Sequence, residues 1–260
     1  MERLARRLPS HRRALLPGLS PQARMRLWLV GASAAGWTLL ALIPSHWWPP
    51  PLCLSPEASA PTRYWAEWRT FLASPVFAGT LLHWSVMLVA MMLPLIGSPL
   101  LQIEMQVFAR RRAAAKLLFA SAYFLAWSAA LSAALAVLLA LRGAGAAAWA
   151  AEPLLFVAAA AWQGTHLKRR ALQACHRPGR FRAGGAGANA DMRRFGLQHG
   201  AACIAACWTV MLPMLLGEHG LLPGLAATLV LFAERHEMRP QIRASQVILL
   251  LLALLTALPA

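Results

Sequence analysis

Charged residues are scarce in this sequence of 260 residues: 13% are Asp, Glu, Lys or Arg, against about 25% in a typical soluble domain. Among the charged residues, the acidic ones are the fewer, with nine in the chain, and they form no paired-carboxylate pattern. Since no nucleophile, base and orienting group can be assembled, the sequence predicts a protein that is not an enzyme. Ten-residue segments of alternating polarity are also absent, which argues against an outer-membrane barrel.

Cysteine is sparse as well, and the four cysteines do not indicate a disulfide framework. Cys53 and Cys175 are predicted on opposite sides of a membrane, so they cannot meet. Cys203 and Cys207 lie one helical turn apart in an apolar segment, a placement that does not favour a bridge. The sequence therefore predicts free thiols, two of them inside a helix.

Long apolar runs dominate what is present, since 59% of the residues are hydrophobic. Runs of about 20 residues alternate with short basic stretches, as in spanning helices. They predict an all-α, polytopic transmembrane bundle of about seven spans, at residues 25–43, 76–101, 117–141, 146–163, 197–216, 221–234 and 247–260. The last run has about 14 apolar residues, roughly 21 Å of helix, which is short for a crossing. Pro94 and Pro99 predict a kink or break in the second span.

The chain has a net charge of +16, and its basic residues are concentrated in alternate loops. All but three of the 25 Lys and Arg residues lie before or at the start of the first span, or follow the second, fourth and sixth spans. By the positive-inside rule, the arm at residues 1–24 is cytoplasmic and residues 25–260 form the membrane domain. We therefore expect a bacterial inner (plasma) membrane protein whose partner is the lipid bilayer rather than nucleic acid. The longest cytoplasmic loop, 164–196, is predicted to be flexible through its glycine-rich middle, 183–190.

Two stripes of potential metal ligands recur at steps of four residues, so each stripe lies on one face of a helix. The fifth span carries His199, Cys203, Cys207 and Met211, and the second span carries His83, Met87 and Met91. The two spans run in opposite directions, so the stripes should reach matching depths. Thiol, thioether and imidazole groups together favour Cu(I), with Zn(II) as the second choice. If the two helices are neighbours, the sequence predicts a metal site between them.

Four segments resemble a bacterial family of predicted metal-binding integral membrane proteins of unknown function. They are Trp84-Ser-Val-Met-Leu-Val-Ala-Met-Met-Leu-Pro94, Trp162-Gln-Gly-Thr-His-Leu-Lys168 with Cys175-His-Arg-Pro178, Gly196-Leu-Gln-His-Gly-Ala-Ala-Cys-Ile-Ala-Ala-Cys-Trp-Thr-Val-Met211, and Ala233-Glu-Arg235. The resemblance implies a metal ligand set of Met87, Met91, Met92, His199, Cys203, Cys207 and Met211. The chain departs from the family pattern at Ala206, Ala171 and residues 217–220, so it offers fewer thiols.

Copper handling by transport, delivery or assembly of a metal centre, with a metal-receiving protein as a possible partner, is therefore the first hypothesis. A structural or assembly subunit whose Met, Cys and Trp residues only pack is the second. A small-solute transporter that uses Glu152 is the third. Glu234 and Arg235 are predicted to form an interfacial pair with each other. Cys175 and His176 are predicted to lie in the flexible basic loop, where they could receive or donate metal at the cytoplasmic face.

Overall fold

The computed structural model describes residues 20–42, 66, 69–70, 72–73, 75–143, 151–216, 221–236 and 242–257. Most of the predicted basic arm, residues 146–150 of the predicted fourth span and residues 258–260 of the last lie outside these ranges. In the described ranges the chain is helical and contains no strand, so the all-α prediction is confirmed.

The described helices follow the predicted apolar runs in order. They are α1 (Pro21–Leu42), α2 (Pro75–Met92), α3 (Gly97–Gln106), α4 (Arg112–Gly143), α5 (Ala151–Gln163), α6 (His166–His176), α7 (Ala188–Leu216), α8 (Leu221–His236) and α9 (Ile242–Ala257). Short 3-10 segments at Leu93–Ile96 and Ala109–Arg111 precede α3 and α4. Helix α1 begins four residues earlier than the predicted span, inside the segment assigned to the basic arm.

Four described segments are long and apolar enough to cross a membrane: Gln22–Leu42, Leu81–Gln106, Ala109–Ala134 and Ala188–Met214. They correspond to the predicted first, second, third and fifth spans. Pro153–Gln163 and Arg243–Ala257 are shorter apolar helices, in the predicted fourth and seventh spans. Four of the seven predicted spans thus correspond to helices long enough to cross a membrane, while the number of crossings stays a prediction.

Proline breaks the second span where the sequence predicted it. Helix α2 ends at Met92, and Pro94 lies in the first turn of the 3-10 segment that follows. Pro99 is the third residue of α3, in the first turn, where its missing N–H costs no intrahelical hydrogen bond. The predicted second span is therefore a broken helix whose second half, α3, continues to Gln106.

The predicted loop at 164–196 is largely helix, with α6 at His166–His176 and α7 from Ala188, so the loop prediction was wrong for these residues, and the flexibility of the glycine-rich middle stays a prediction. Thr165 caps α6 by accepting a hydrogen bond from the backbone N–H of Lys168 at 3.2 Å. Gly185 and Gly187 adopt positive φ angles of 85° and 83°, which turn the chain into α7 at Ala188. The glycine-rich composition thus serves a tight turn between two helices, because glycine adopts this backbone conformation without steric cost.

Among the described helices, α4 and α7 form the most extensive pair, and small residues allow their close approach. A Cβ atom added at Gly196 would lie 2.4 Å from the carbonyl oxygen of Phe119 and 2.9 Å from the Cβ atom of Ala122. Gly200 lies one turn further, against Ala126 and Tyr123. Helix α7 also packs on α5 and α6, α2 packs on α1, and α5 packs on α9.

Gly196→Ala is expected to lower the free energy of unfolding by about 1–3 kcal/mol, because the added methyl group meets backbone that cannot move aside. Thermal unfolding in detergent would measure the change. Gly31→Ala in α1 is the matched control, since a Cβ atom there has nothing within 4 Å and alanine favours helix. Equal melting temperatures for the two variants would contradict the close packing of α4 and α7.

Candidate metal centre

The α7 stripe predicted from the sequence lies on one buried face of the helix. His199, Cys203, Cys207 and Met211 are each at most 5% exposed, although α7 as a whole has an exposed face that includes Leu197 and Trp208. The buried face points toward α4, α5 and α6, the helices against which α7 packs. The prediction that these four side chains share one face is therefore confirmed.

Cys203 is the centre of a group of thiols. Its sulfur interacts with the thiols of both Cys175 and Cys207, and it accepts a hydrogen bond from the Tyr123 hydroxyl at 3.2 Å. All of these side chains are buried. We call Cys175, Cys203 and Cys207 the thiol group; it joins α6 to α7, with Tyr123 of α4 on its other side.

Cys175 is the member of the thiol group that sequence reasoning did not place there. It lies in α6, where Lys168, Leu172 and Cys175 follow helical spacing and bring one face of the helix against α7. That periodicity, together with the Thr165 cap, was the available signal. The hydrogen bond with Cys203 and burial of the side chain raise the pKa of the Cys175 thiol above its ordinary value, so the thiol is protonated at neutral pH.

Arg235 fixes the position of the imidazole beside the thiol group. Its guanidinium contacts His199 Nε2 at 3.1 Å and donates to the Cys175 carbonyl oxygen at 2.7 Å. It also donates to the Leu95 carbonyl oxygen at 3.3 Å. Arginine is only a donor, so Nε2 of His199 accepts this hydrogen bond and the ring proton lies on Nδ1. In this arrangement, the Nε2 lone pair of His199 is occupied by Arg235.

A buried ion pair closes the same region. Lys168 Nζ of α6 lies 2.6 Å from Glu234 Oε2 of α8, and their side chains are 1% and 4% exposed. The predicted interfacial pairing of Glu234 with Arg235 was wrong: the acid binds Lys168, while Arg235 binds backbone carbonyls and His199. Consecutive residues on a helix point in different directions, which explains the separate partners.

The α2 stripe is buried as well, but on a different helix pair. Met87, Met91 and Met92 lie in the same hydrophobic core as Cys203, Cys207 and Met211, and His83 is also buried. Helix α2 packs mainly on α1 and also contacts α8, and among the described helices α2 and α7 do not form a closely packed pair. The structure thus brings the three thiols of the thiol group together, while the α2 stripe lies on a different helix of the same core.

The donors do not form a preformed chelate. In the part of the chain that the structure describes, no three His, Cys, Asp or Glu side chains converge as a metal-binding group would. The thiol group is instead a chain of pairwise contacts with Cys203 in the middle. The side chain of Glu152, which carries the transporter hypothesis, lies outside the described residues.

One of three comparisons with known proteins found a match, and it covers the helices that carry the candidate ligands. A family model described as a copper chaperone, PpoB2, matches residues 81–258, from α2 to the end of α9. No curated protein matches the chain. No solved structure matches it either. The match includes every predicted ligand and extends over more than half of the sequence, so the chain belongs to this copper chaperone family.

Proposed function

We propose that this protein is a membrane copper-handling protein that holds Cu(I) at the thiol group and releases it to a metal-receiving protein. The observation that carries the proposal is the contact of Cys203 with two further buried thiols inside the segment matched by the copper chaperone family. Thiolate and thioether sulfur are the ligands that Cu(I) prefers, whereas harder cations prefer oxygen. No catalytic step belongs to this proposal.

The chemistry of the residues fits a copper ion as cargo. Binding at Cys203 and a second thiol requires loss of their protons, so copper uptake releases protons. Because Cys203 contacts a thiol on either side, it can share one copper ion with Cys175 or with Cys207. His199 becomes available as a further ligand only when Arg235 leaves its Nε2 atom.

The thioether residues are assigned a separate role in this proposal. His83, Met87, Met91 and Met92 of α2, with Met211 of α7, supply neutral donors for a mobile copper ion. A neutral thioether binds Cu(I) without a proton exchange, so it suits transfer better than retention. These residues would form the route between the thiol group and the other side of the membrane.

The membrane location is part of the proposal and rests on two features. Large apolar side chains are exposed along the outside of the helices, for example Leu82, Leu125, Leu229 and Leu251, and water would not solvate such a surface well. The loops assigned to the cytoplasm by charge also contact each other: Arg111 donates to the Ala183 carbonyl oxygen, and Arg235 donates to that of Cys175. A bacterial inner membrane, seven spans and a cytoplasmic N-terminus are consistent with both features.

X-ray absorption at the copper edge tests the proposed function. Protein purified in detergent under reducing conditions, loaded with Cu(I) and washed with a chelator, is expected to retain copper as Cu(I) in a sulfur-rich shell. Copper bound only by nitrogen and oxygen, or a protein that retains no copper, would contradict the proposal. If the purified protein retains zinc in place of copper, Zn(II) is the metal that it binds. If it retains no metal, the structural-subunit hypothesis is favoured.

A further inference from the structure

A cavity of about 690 Å³ opens between α6, the chain that follows it and α7, next to the thiol group. Its wall contains His199, and also Ala174 and Ala202, the chain neighbours of Cys175 and Cys203. The volume lies within the range of about 300–1,000 Å³ that is typical of sites for small molecules. The cavity is therefore large enough for a small carrier molecule that reaches the thiol group from the loop side.

Three arginine side chains give the cavity its charge. Arg177, Arg180 and Arg194 line it, are exposed, and take part in no ion pair with an acidic residue that the structure describes. The acid of the lining, Asp191, is already paired with Arg182, with 2.9 Å between Nε and Oδ2. The cavity consequently attracts anions and repels a free Cu(I) cation.

The wall of the cavity is held in place by contacts with α3 and α7. Gln102 of α3 both donates to the Gly179 carbonyl oxygen at 2.7 Å and accepts from the Gly179 N–H at 2.9 Å. The ring of Phe195 lies against Gly179 so closely that a Cβ atom there would meet it at 2.5 Å. These contacts fix the wall at Gly179, and a fixed wall reduces the entropic cost of binding.

We propose that this cavity receives Cu(I) as an anionic complex with a small thiol compound of the glutathione class; this inference rests on the proposed function. The three arginines bind the carboxylates of the carrier, which places its copper–sulfur bond beside His199 and the thiol group. The positive charge of the arginines would repel a bare copper cation. The arginines therefore select the form in which copper arrives.

The transfer is a ligand exchange without any change of oxidation state. A carrier thiolate–copper bond breaks, and a bond forms between copper and a sulfur of the thiol group. The proton of that protein thiol passes to the departing carrier thiolate, which leaves as a neutral thiol. Copper remains Cu(I), so neither an oxidant nor a reductant is needed.

The experiment compares the loading rates of two arginine variants of the full-length protein. Arg177→Gln, Arg180→Gln and Arg194→Gln together remove the cavity charge. Arg169→Gln, Arg170→Gln and Arg193→Gln remove the same charge from exposed positions of α6 and α7 that do not line the cavity. Each variant receives Cu(I) either with excess glutathione, which is anionic, or as the cationic acetonitrile complex.

The cavity variant is expected to load from the glutathione complex at least about 10-fold more slowly than the control variant, with a weaker dependence on salt. Loading from the acetonitrile complex should be equal in both, and so should the final copper content. Equal rates from glutathione, or equal slowing from both donors, would overturn the inference. A wild-type protein that retains copper from neither donor would instead refute the proposed function.

Discussion

Replacement of Cys203 and Cys207 together by alanine is expected to abolish the retention of Cu(I) by the purified protein. The double variant removes the central thiol, which contacts both others, and leaves Cys175 as the one remaining thiol of the group. Loss of an outer-shell partner of a metal ligand costs about 10–100-fold in affinity, so loss of two ligands should cost more than about 100-fold. A competition titration against a Cu(I) chelator would measure this change.

Cys53→Ala provides the matched control for this prediction. It removes one thiol by the same substitution from a position far from α6 and α7 in the sequence, and it should bind copper as the wild-type protein does. The melting temperature of the double variant in the absence of copper shows whether the fold survives. Stoichiometric copper in a folded double variant would contradict the assignment of the thiol group.

Glu234→Gln is expected to destabilise the protein by about 3–5 kcal/mol, because it leaves the Lys168 cation buried without a counter-charge. The side chains of both residues are almost fully buried, so water cannot replace the lost partner. Unfolding in detergent, followed by circular dichroism, would measure the loss. Lys168→Met combined with Glu234→Leu should recover most of the stability, since the pair is then replaced by apolar side chains.

Glu104→Gln provides the control for the buried pair. Glu104 pairs with Arg112 at 3.0 Å and also with Lys116, but these side chains are 27–38% exposed. Ion pairs at that exposure contribute about 0–1 kcal/mol, so this variant should unfold almost as the wild type does. Similar losses for Glu234→Gln and Glu104→Gln would show that burial of the Lys168 pair carries no special cost.

The helices and the buried α7 stripe could be predicted from the sequence because both depend on local periodicity. Steps of four residues place His199 and Cys203 on one face whatever surrounds the helix, and apolar run lengths locate helices without knowledge of their neighbours. Pro94 marked the break after α2 for the same local reason.

Tertiary partners could not be predicted in the same way. The pairing of Lys168 with Glu234 and the contact of Arg235 with His199 join residues that are distant in the sequence, and periodicity does not identify neighbouring helices. Matching depth brought α2 and α7 together in the prediction, whereas the structure packs α2 on α1. Cys175 was missed because the glycines at 184–187 suggested a flexible loop, although they form the turn that precedes α7.

X-ray absorption of selenomethionine-labelled, copper-loaded protein tests the central claim most directly, because it separates cysteine from methionine ligands. Labelling replaces the thioether sulfur of Met87, Met91 and Met211 by selenium and leaves the thiol group unchanged. The thiol assignment predicts Cu(I) in a shell dominated by sulfur, with selenium a minor neighbour at most. A shell dominated by selenium would place the copper on the methionine residues and contradict the assignment of the thiol group as the holding site.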